Sequence, residues 1–188
     1  MARLEEFKLR PIIEGDLRKV LEWRNSLRIR ANMFTDHIIS VEEHQAWFEG
    51  LKEREDVVYL LFQLKERPVG MVYFTEIENK KDNAIFGFYL GDTNLPRGTG
   101  TFMGILGLGY AFRELGLRKL CSETFSFNQP AINFLKRLGF SKEGRFERHV
   151  LKNGKCEDVF SFSIFRATWE NNEPNLIQST LSCLDGNS

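Results

Sequence analysis

Residues 101 to 115, TFMGILGLGYAFREL, are apolar on nearly every face of a helix, and such a helix belongs between layers rather than on a surface. Gly104, Gly107 and Gly109 each cost it up to about 1 kcal/mol of helix propensity, which makes sense where a neighbour must approach its backbone closely. The chain has the material to bury it. Its 188 residues, 42% hydrophobic and including 17 Phe, suit one compact domain with an aromatic core.

Periodicity predicts the layers. Phe7 to Pro11 reads as a strand, followed by a helix in EGDLRKVLEWRN with Asp16 as N-cap and Leu17, Val20 and Leu21 at helical spacing. Ser40 and Glu43 form a capping box opening a second helix, with Val41, His44, Trp47, Phe48 and Leu51 on one stripe. The intervening SLRIRANMFTDHI has no clear local structure. Val57 to Leu64 and Val69 to Ile77 form a hairpin around Glu66, Arg67 and Pro68, and Ala84 to Leu90 is a third strand after the turn NKKDN. Gly87 within that strand points to a bulge or a close approach. A strand in RKLCSETFSF precedes a helix with Asn128 as N-cap, Pro130 in its first turn and Gly139 as C-cap. Asn153-Gly154 joins strands Phe146 to Leu151 and Asp158 to Phe165. From Glu170 onward three acids, no Lys or Arg and many Asn and Ser predict a mobile tail. The fold class is α+β, a mixed, largely antiparallel sheet with helices on both faces, with one domain over 1–169 and a polar tail over 170–188.

Charge and cysteine usage exclude several functions. Twenty-six Lys plus Arg cancel 26 Asp plus Glu, and the basic residues are scattered, so counterion release has no patch to act through and nucleic acid is not an expected partner. No apolar stretch reaches the ~20 residues of a membrane span, and MARLEEFKLR lacks the apolar middle of a secretory signal, so a cytoplasmic location is expected. Cys121, Cys156 and Cys183 are odd in number and far apart, which fits reduced thiols and neither a disulfide framework nor a metal knuckle.

The stretch LPRGTG, residues 95 to 100, lies between the third strand and the buried helix. The first amides of a helix lack internal partners and its dipole is positive there, so such a loop binds anions. Gly98 and Gly100 let the backbone approach phosphate oxygens, and Arg97 adds a charge-assisted contact. An ordinary strand-to-helix turn has the same composition, so the loop alone leaves both readings open. It is neither a Walker A loop nor a dinucleotide fingerprint.

Together with FSFNQPAINFLKRLGF and the terminal hairpin, however, the loop resembles the pyrophosphate loop, Asn-x-x-Ala…Leu-Gly-Phe segment and last hairpin of the GNAT superfamily of N-acetyltransferases, over residues 7 to about 168. The resemblance implies acetyl-coenzyme A as co-substrate, its pantetheine arm against Phe88 and Leu90 at the splayed end of the third strand. It implies the pyrophosphate on the backbone of Arg97, Gly98, Thr99, Gly100, Thr101 and Phe102, with Asn128 facing the cofactor. Leu135 occupies the cofactor-side position where many members carry a Tyr general acid, so that acid is missing from its usual place, and water, Tyr73 or Ser126 is a candidate to replace it. Glu123 on CSETF shares a face with Cys121 and Phe125, and a carboxylate among apolar neighbours holds protons more tightly, which makes it the candidate base; Glu76 is a second.

The acceptor site is expected in the first third. EWRN, ANMF, IIS and EEHQAWF resemble the branch of the superfamily that acetylates the 4-amine of a UDP-linked 4-amino-4,6-dideoxy sugar in pseudaminic acid synthesis. That implies Met33, Phe34, Trp47 and Phe48 as an apolar wall and Arg24 or Arg30 at the nucleotide phosphates. Core packing explains the same aromatics; other amines (ribosomal-protein N-termini, polyamines, aminoglycosides) are alternative acceptors, and a non-catalytic acyl-CoA-binding module is an alternative to catalysis. No metal is implied, and a homodimer is left open.

Overall fold

The computed structural model describes residues 4–77 and 82–185, so part of the expected turn NKKDN lies outside the described residues. The chain builds β1 (Phe7–Pro11), α1 (Leu17–Asn25), α2 (Leu27–Arg30), α3 (Val41–Gly50), β2 (Val58–Leu64), β3 (Arg67–Thr75) and β4 (Asn83–Leu90). There follow α4 (Thr99–Gly109), β5 (Lys119–Phe125), α5 (Gln129–Arg137), β6 (Ser141–Lys152), β7 (Lys155–Phe165) and α6 (Arg166–Asp185). The seven strands form one sheet in the order β1-β2-β3-β4-β5-β7-β6, antiparallel throughout except for β4 beside β5.

Alternation along the strands feeds two cores. Leu60, Phe62, Val72, Phe74 and Phe86 face α4 in the larger one, while Leu61, Met71 and Tyr89 face Val20, Trp23 and Ile29 of α1 and α2. The sheet is therefore covered on both faces, as expected. A Cβ on Gly104 would lie 2.5 Å from Leu138, and one on Gly107 3.2 Å from Phe86 and Val72, so at these two positions the helix glycines admit α5's end and the sheet. Gly109's near neighbour is only Arg113, on the π-helical turn Tyr110–Glu114 that ends the helix.

Several boundaries differ from expectation. Lys65 and Glu66 alone make the β2–β3 turn, both at positive φ, so Arg67 and Pro68 belong to the strand. Asp16 sits at the start of α1, but its carboxylate accepts instead from Arg10 (2.7 and 2.8 Å) and the Ile13 amide (3.0 Å). Ser40 caps α3 as expected, accepting from the Glu43 amide, whereas Val41 is exposed rather than part of a buried stripe. Glu76 lies beyond β3, exposed and at φ 54°, not on the strand. Both strands of the last hairpin begin earlier in sequence than expected, around the Asn153-Gly154 turn.

The largest difference is the tail. Residues 166–185 form a helix anchored by fully buried Trp169, with Leu176, Ile177 and Leu181 packed on the main core. Arg113 also holds it, through two 2.7 Å bonds to Glu173. Trp169→Ala is expected to cost about 3–5 kcal/mol, the range for emptying an aromatic core site. Urea unfolding measures this, and a loss below about 1 kcal/mol would show that α6 contributes little to the core.

Among the described residues no helix is long and apolar enough to cross a membrane, and no cluster of His, Cys, Asp or Glu is placed to hold a metal.

Candidate active site

The site begins where two parallel strands part. β4 pairs with β5 at only three positions, Asn83, Ala84 and Ile85, after which β5 follows β7. At the fork Ser122 Oγ donates to the Phe86 carbonyl at 2.9 Å; at the far end Arg28 Nη2 donates to the carbonyls of Leu90 (3.0 Å) and Gly91 (2.6 Å). Main-chain groups two residues apart on a strand point the same way. The N–H and C=O of Phe88, midway between Phe86 and Leu90, therefore face the opening with no strand opposite.

That opening is a groove of about 300 Å³ between β4, β5 and α5, reached by Gly100 of α4. Gly98, at φ 86°, turns the chain into α4. The Thr99 amide and hydroxyl both donate to the Pro96 carbonyl (3.2 and 2.7 Å), and the Phe102 amide donates to Gly98 at 3.0 Å. The amides of Gly98, Gly100 and Thr101 bond to no described residue. Arg137 of α5 comes within 3.5 Å of Thr101 Oγ1, adding positive charge beside them.

A second cavity, about 320 Å³, lies on the α1–α3 face and meets the groove at Met33, Phe34, Tyr73 and Tyr89. Tyr73 crosses the strand it faces: a Cβ on Gly87 would fall 2.0 Å from its ring and 2.5 Å from its hydroxyl oxygen. The expected close approach at Gly87 is thus this ring. Tyr73 stacks on Tyr59 (5.2 Å between centroids), Tyr59 meets Trp47 edge-on (5.0 Å), and Trp47 stacks on His44 (4.9 Å). Burial, reinforced by neighbouring Tyr59, pushes the Tyr73 hydroxyl up to about 12, so it is protonated at neutral pH. Burial holds His44 below its usual range, against a bond to the Leu17 backbone, so its ring is neutral there.

The β6–β7 hairpin reaches across to this cavity. Lys152, buried at the end of β6, donates to the Met33 carbonyl (2.8 Å) and to Asp36 (3.0 Å), and Phe34 packs edge-on against Phe125. This pins the 33–36 segment. Lys152→Met is expected to loosen this segment, speeding amide hydrogen exchange over residues 33–36 by about tenfold while exchange in β2 and β3 is unchanged; parallel changes in both would mean a general loss of structure.

Residues 9–160 match the family model described as Acetyltransferase (GNAT) domain. The chain belongs to the GNAT acetyltransferase family. It is 29% identical over 135 residues to the SPbeta prophage-derived uncharacterized N-acetyltransferase YokL of Bacillus subtilis, covering 71% of this chain and 75% of that one. It is 24% identical over 166 residues to the spermidine N(1)-acetyltransferase of Escherichia coli K12, covering 88% and 89% of the two chains. The structure of a spermidine N-acetyltransferase from Vibrio cholerae, in complex with CoA and spermine, superposes with a TM-score of 0.83 at 21% identity, over 89% of this chain and 99% of that one. The relatives named for a substrate are named for spermidine, so the expected nucleotide-sugar branch finds no support among them.

Within this GNAT fold the residues expected at the cofactor divide. Phe88, Leu90, Gly100 and Asn128 line the groove, Asn128 also capping α5 by accepting from Ala131 at 3.2 Å. Gly98 and Thr101 do not line it, though their amides bond to no described residue, while the Thr99 amide is spent on Pro96 and Arg97 is exposed on the loop. Phe102 and Leu135 do not line the groove, and the Phe102 amide, expected at the pyrophosphate, is spent on the Gly98 carbonyl. Phe102 is fully buried and stacks 4.7 Å from Phe7, and Leu135 is fully buried in the main core on the apolar side of α5, so neither side chain reaches the groove. Glu123 lines the groove but is exposed, not held among apolar neighbours as expected.

Of the residues expected at the acceptor, Arg24, Met33, Phe34 and Trp47 line the second cavity. Arg30 and Phe48 do not: Arg30 donates to the Asp36 carbonyl at 2.9 Å, and Phe48 lies under the Lys52 ammonium. Arg28, Tyr89, Ser122 and Phe134 were missed. Arg28 lies in the segment without a legible pattern, and only the register of β4 against β5 reveals Ser122 at the fork.

Proposed function

We propose that this chain transfers the acetyl group of acetyl-CoA to a primary amine of a small molecule. Among acceptors, polyamines have the support of relatives named for spermidine; the 4-amine of a UDP-linked dideoxy sugar has none. The observation that carries the reading is the junction of two cavities at Tyr73, beside the unpaired main chain of Phe88.

The residues fit the coenzyme. An extended amide-bearing arm can pair with the Phe88 N–H and C=O as an added strand would. A diphosphate suits the amides of Gly98, Gly100 and Thr101 at the positive end of α4. When bound, acetyl-CoA supplies a thioester whose carbonyl carbon bonds to the amine nitrogen as the C–S bond breaks. The Tyr73 hydroxyl, over Gly87 and in reach of both cavities, is our candidate to donate a proton to the departing sulfur, the role left vacant by Leu135. Glu123, exposed at the groove, takes the proton lost by the amine through water. The aromatic wall of Tyr59, Trp47 and Phe34 keeps the nitrogen in an apolar setting where its neutral, nucleophilic form is favoured.

Thiol release from acetyl-CoA, followed with polyamines, aminoglycosides, sugar amines and amino acids as acceptors, tests this. Amine-dependent release of CoA supports it, and tight CoA binding with no turnover on any amine counts against it.

A further inference from the structure

We propose that the acceptor cavity selects an amine that also carries an anionic oxygen group, a carboxylate or a phosphate, held by Arg24. The inference rests on the acetyl-transfer reading above and narrows its acceptor.

Arg24 projects from α1 into the cavity. Its Nη1 is buried and has no hydrogen-bond partner, and the guanidinium makes no ion pair with any described residue. The side chain is only partly buried, but a buried Nη1–H left without an acceptor carries a desolvation cost that a bound oxygen would offset. The cavity itself supplies no partner for it. Its one carboxylate, Glu43, is exposed at the rim and engaged with His37 at 2.8 Å. The remaining lining is apolar or uncharged at neutral pH: His44 is neutral, and the hydroxyls of Tyr59, Tyr73 and Tyr89 are all held in their protonated form by burial.

The cavity thus combines two chemically distinct features: an opening at Tyr73, where the amine must meet the thioester, and a guanidinium N–H in its lining that can bond an oxygen. The stack of Tyr73, Tyr59 and Trp47 in the same lining suits a short apolar spacer. An oxyanion on Arg24 gains charge-assisted hydrogen bonds where water is scarce. A polyamine in the same orientation would instead bring a second ammonium against Arg24, a like-charge contact that selects against it. Neutral His44, its Nε2 buried and unpartnered on the cavity wall, adds a second polar contact without adding charge.

The test uses the full chain with saturating acetyl-CoA and four acceptors of similar length: butylamine, putrescine, γ-aminobutyrate and aminopropyl phosphate. We expect kcat/KM at least about tenfold higher for one or both acid-bearing amines than for butylamine, with putrescine lowest. Arg24→Met should lower the acid-bearing values about a hundredfold, at least about tenfold more than it lowers butylamine, and preserve CoA affinity, which also verifies folding. Arg24→Lys should fall between. A preference for putrescine, or an equal loss on all four acceptors in Arg24→Met, would overturn the inference. If no acceptor is turned over, the acetyl-transfer reading fails separately, and calorimetry of the CoA-loaded chain with γ-aminobutyrate and aminopropyl phosphate decides the pocket. Binding of either that disappears in Arg24→Met upholds the selectivity of the cavity, and no Arg24-dependent binding rejects it.

Discussion

Tyr73→Phe is expected to lower kcat by about a hundredfold, at the low end of the range for a positioned proton donor because a thiol is already a tolerable leaving group. KM for acetyl-CoA should not move, and thermal stability should stay near that of the parent, since the Tyr73 hydroxyl bonds to no described residue and the ring still stacks on Tyr59. Because burial sets this hydroxyl to about 12, its ionisation contributes no limb to the pH–rate profile through the neutral range. The rise in rate with pH should follow the amine, which must lose its proton to attack. Changing to an acetyl donor with a more acidic thiol should shrink the Tyr73→Phe defect, because a better leaving group needs less help. A defect independent of the leaving group would assign Tyr73 to packing alone.

Gly100→Val makes the complementary prediction. A Cβ at this position would meet only Leu90 at 3.5 Å, ordinary contact, so the fold has room for a larger side chain and stability should be nearly unaltered. The added bulk instead fills the end of the groove, where the amides of Gly98, Gly100 and Thr101 are free. Hydrogen bonds to charged groups contribute about 1.5–3 kcal/mol each, so losing one or two should weaken CoA binding by about a hundredfold or more. Equilibrium binding of CoA measures this, with urea unfolding as the control. Unchanged affinity would place the diphosphate elsewhere.

Much of the frame could be read from local chemistry. The Ser40 cap, the Asn128 cap and the Asn153-Gly154 turn each formed as their side chains dictate, and helix glycines at 104 and 107 marked real close approaches. The failures share a cause: a linear motif fixes where the backbone goes, not which way each side chain turns. Phe102 and Leu135 sit in the right motifs but lie on the buried sides of α4 and α5. Glu123 faces the groove, yet β5 departs from β4 there and leaves it in solvent, which a face count along one strand does not reveal. Helix α6 was hidden by its polar, charge-poor composition. Its signal was the spacing of Trp169, Leu176, Ile177, Thr180 and Leu181, a stripe that brings five otherwise scattered residues onto one face. Lys152 had no local signal, since it acquires its role from elements distant in sequence.

The central claim is that the groove opened by the parting of β4 and β5 holds an activated thioester next to Tyr73. A crystal structure of the chain with CoA tests it directly. The account predicts the pantetheine amides paired with Phe88, the diphosphate on the amides at the head of α4, and the sulfur beside the Tyr73 hydroxyl at the mouth of the acceptor cavity. Coenzyme bound on another face of the sheet, or a sulfur pointing away from Tyr73, would contradict it.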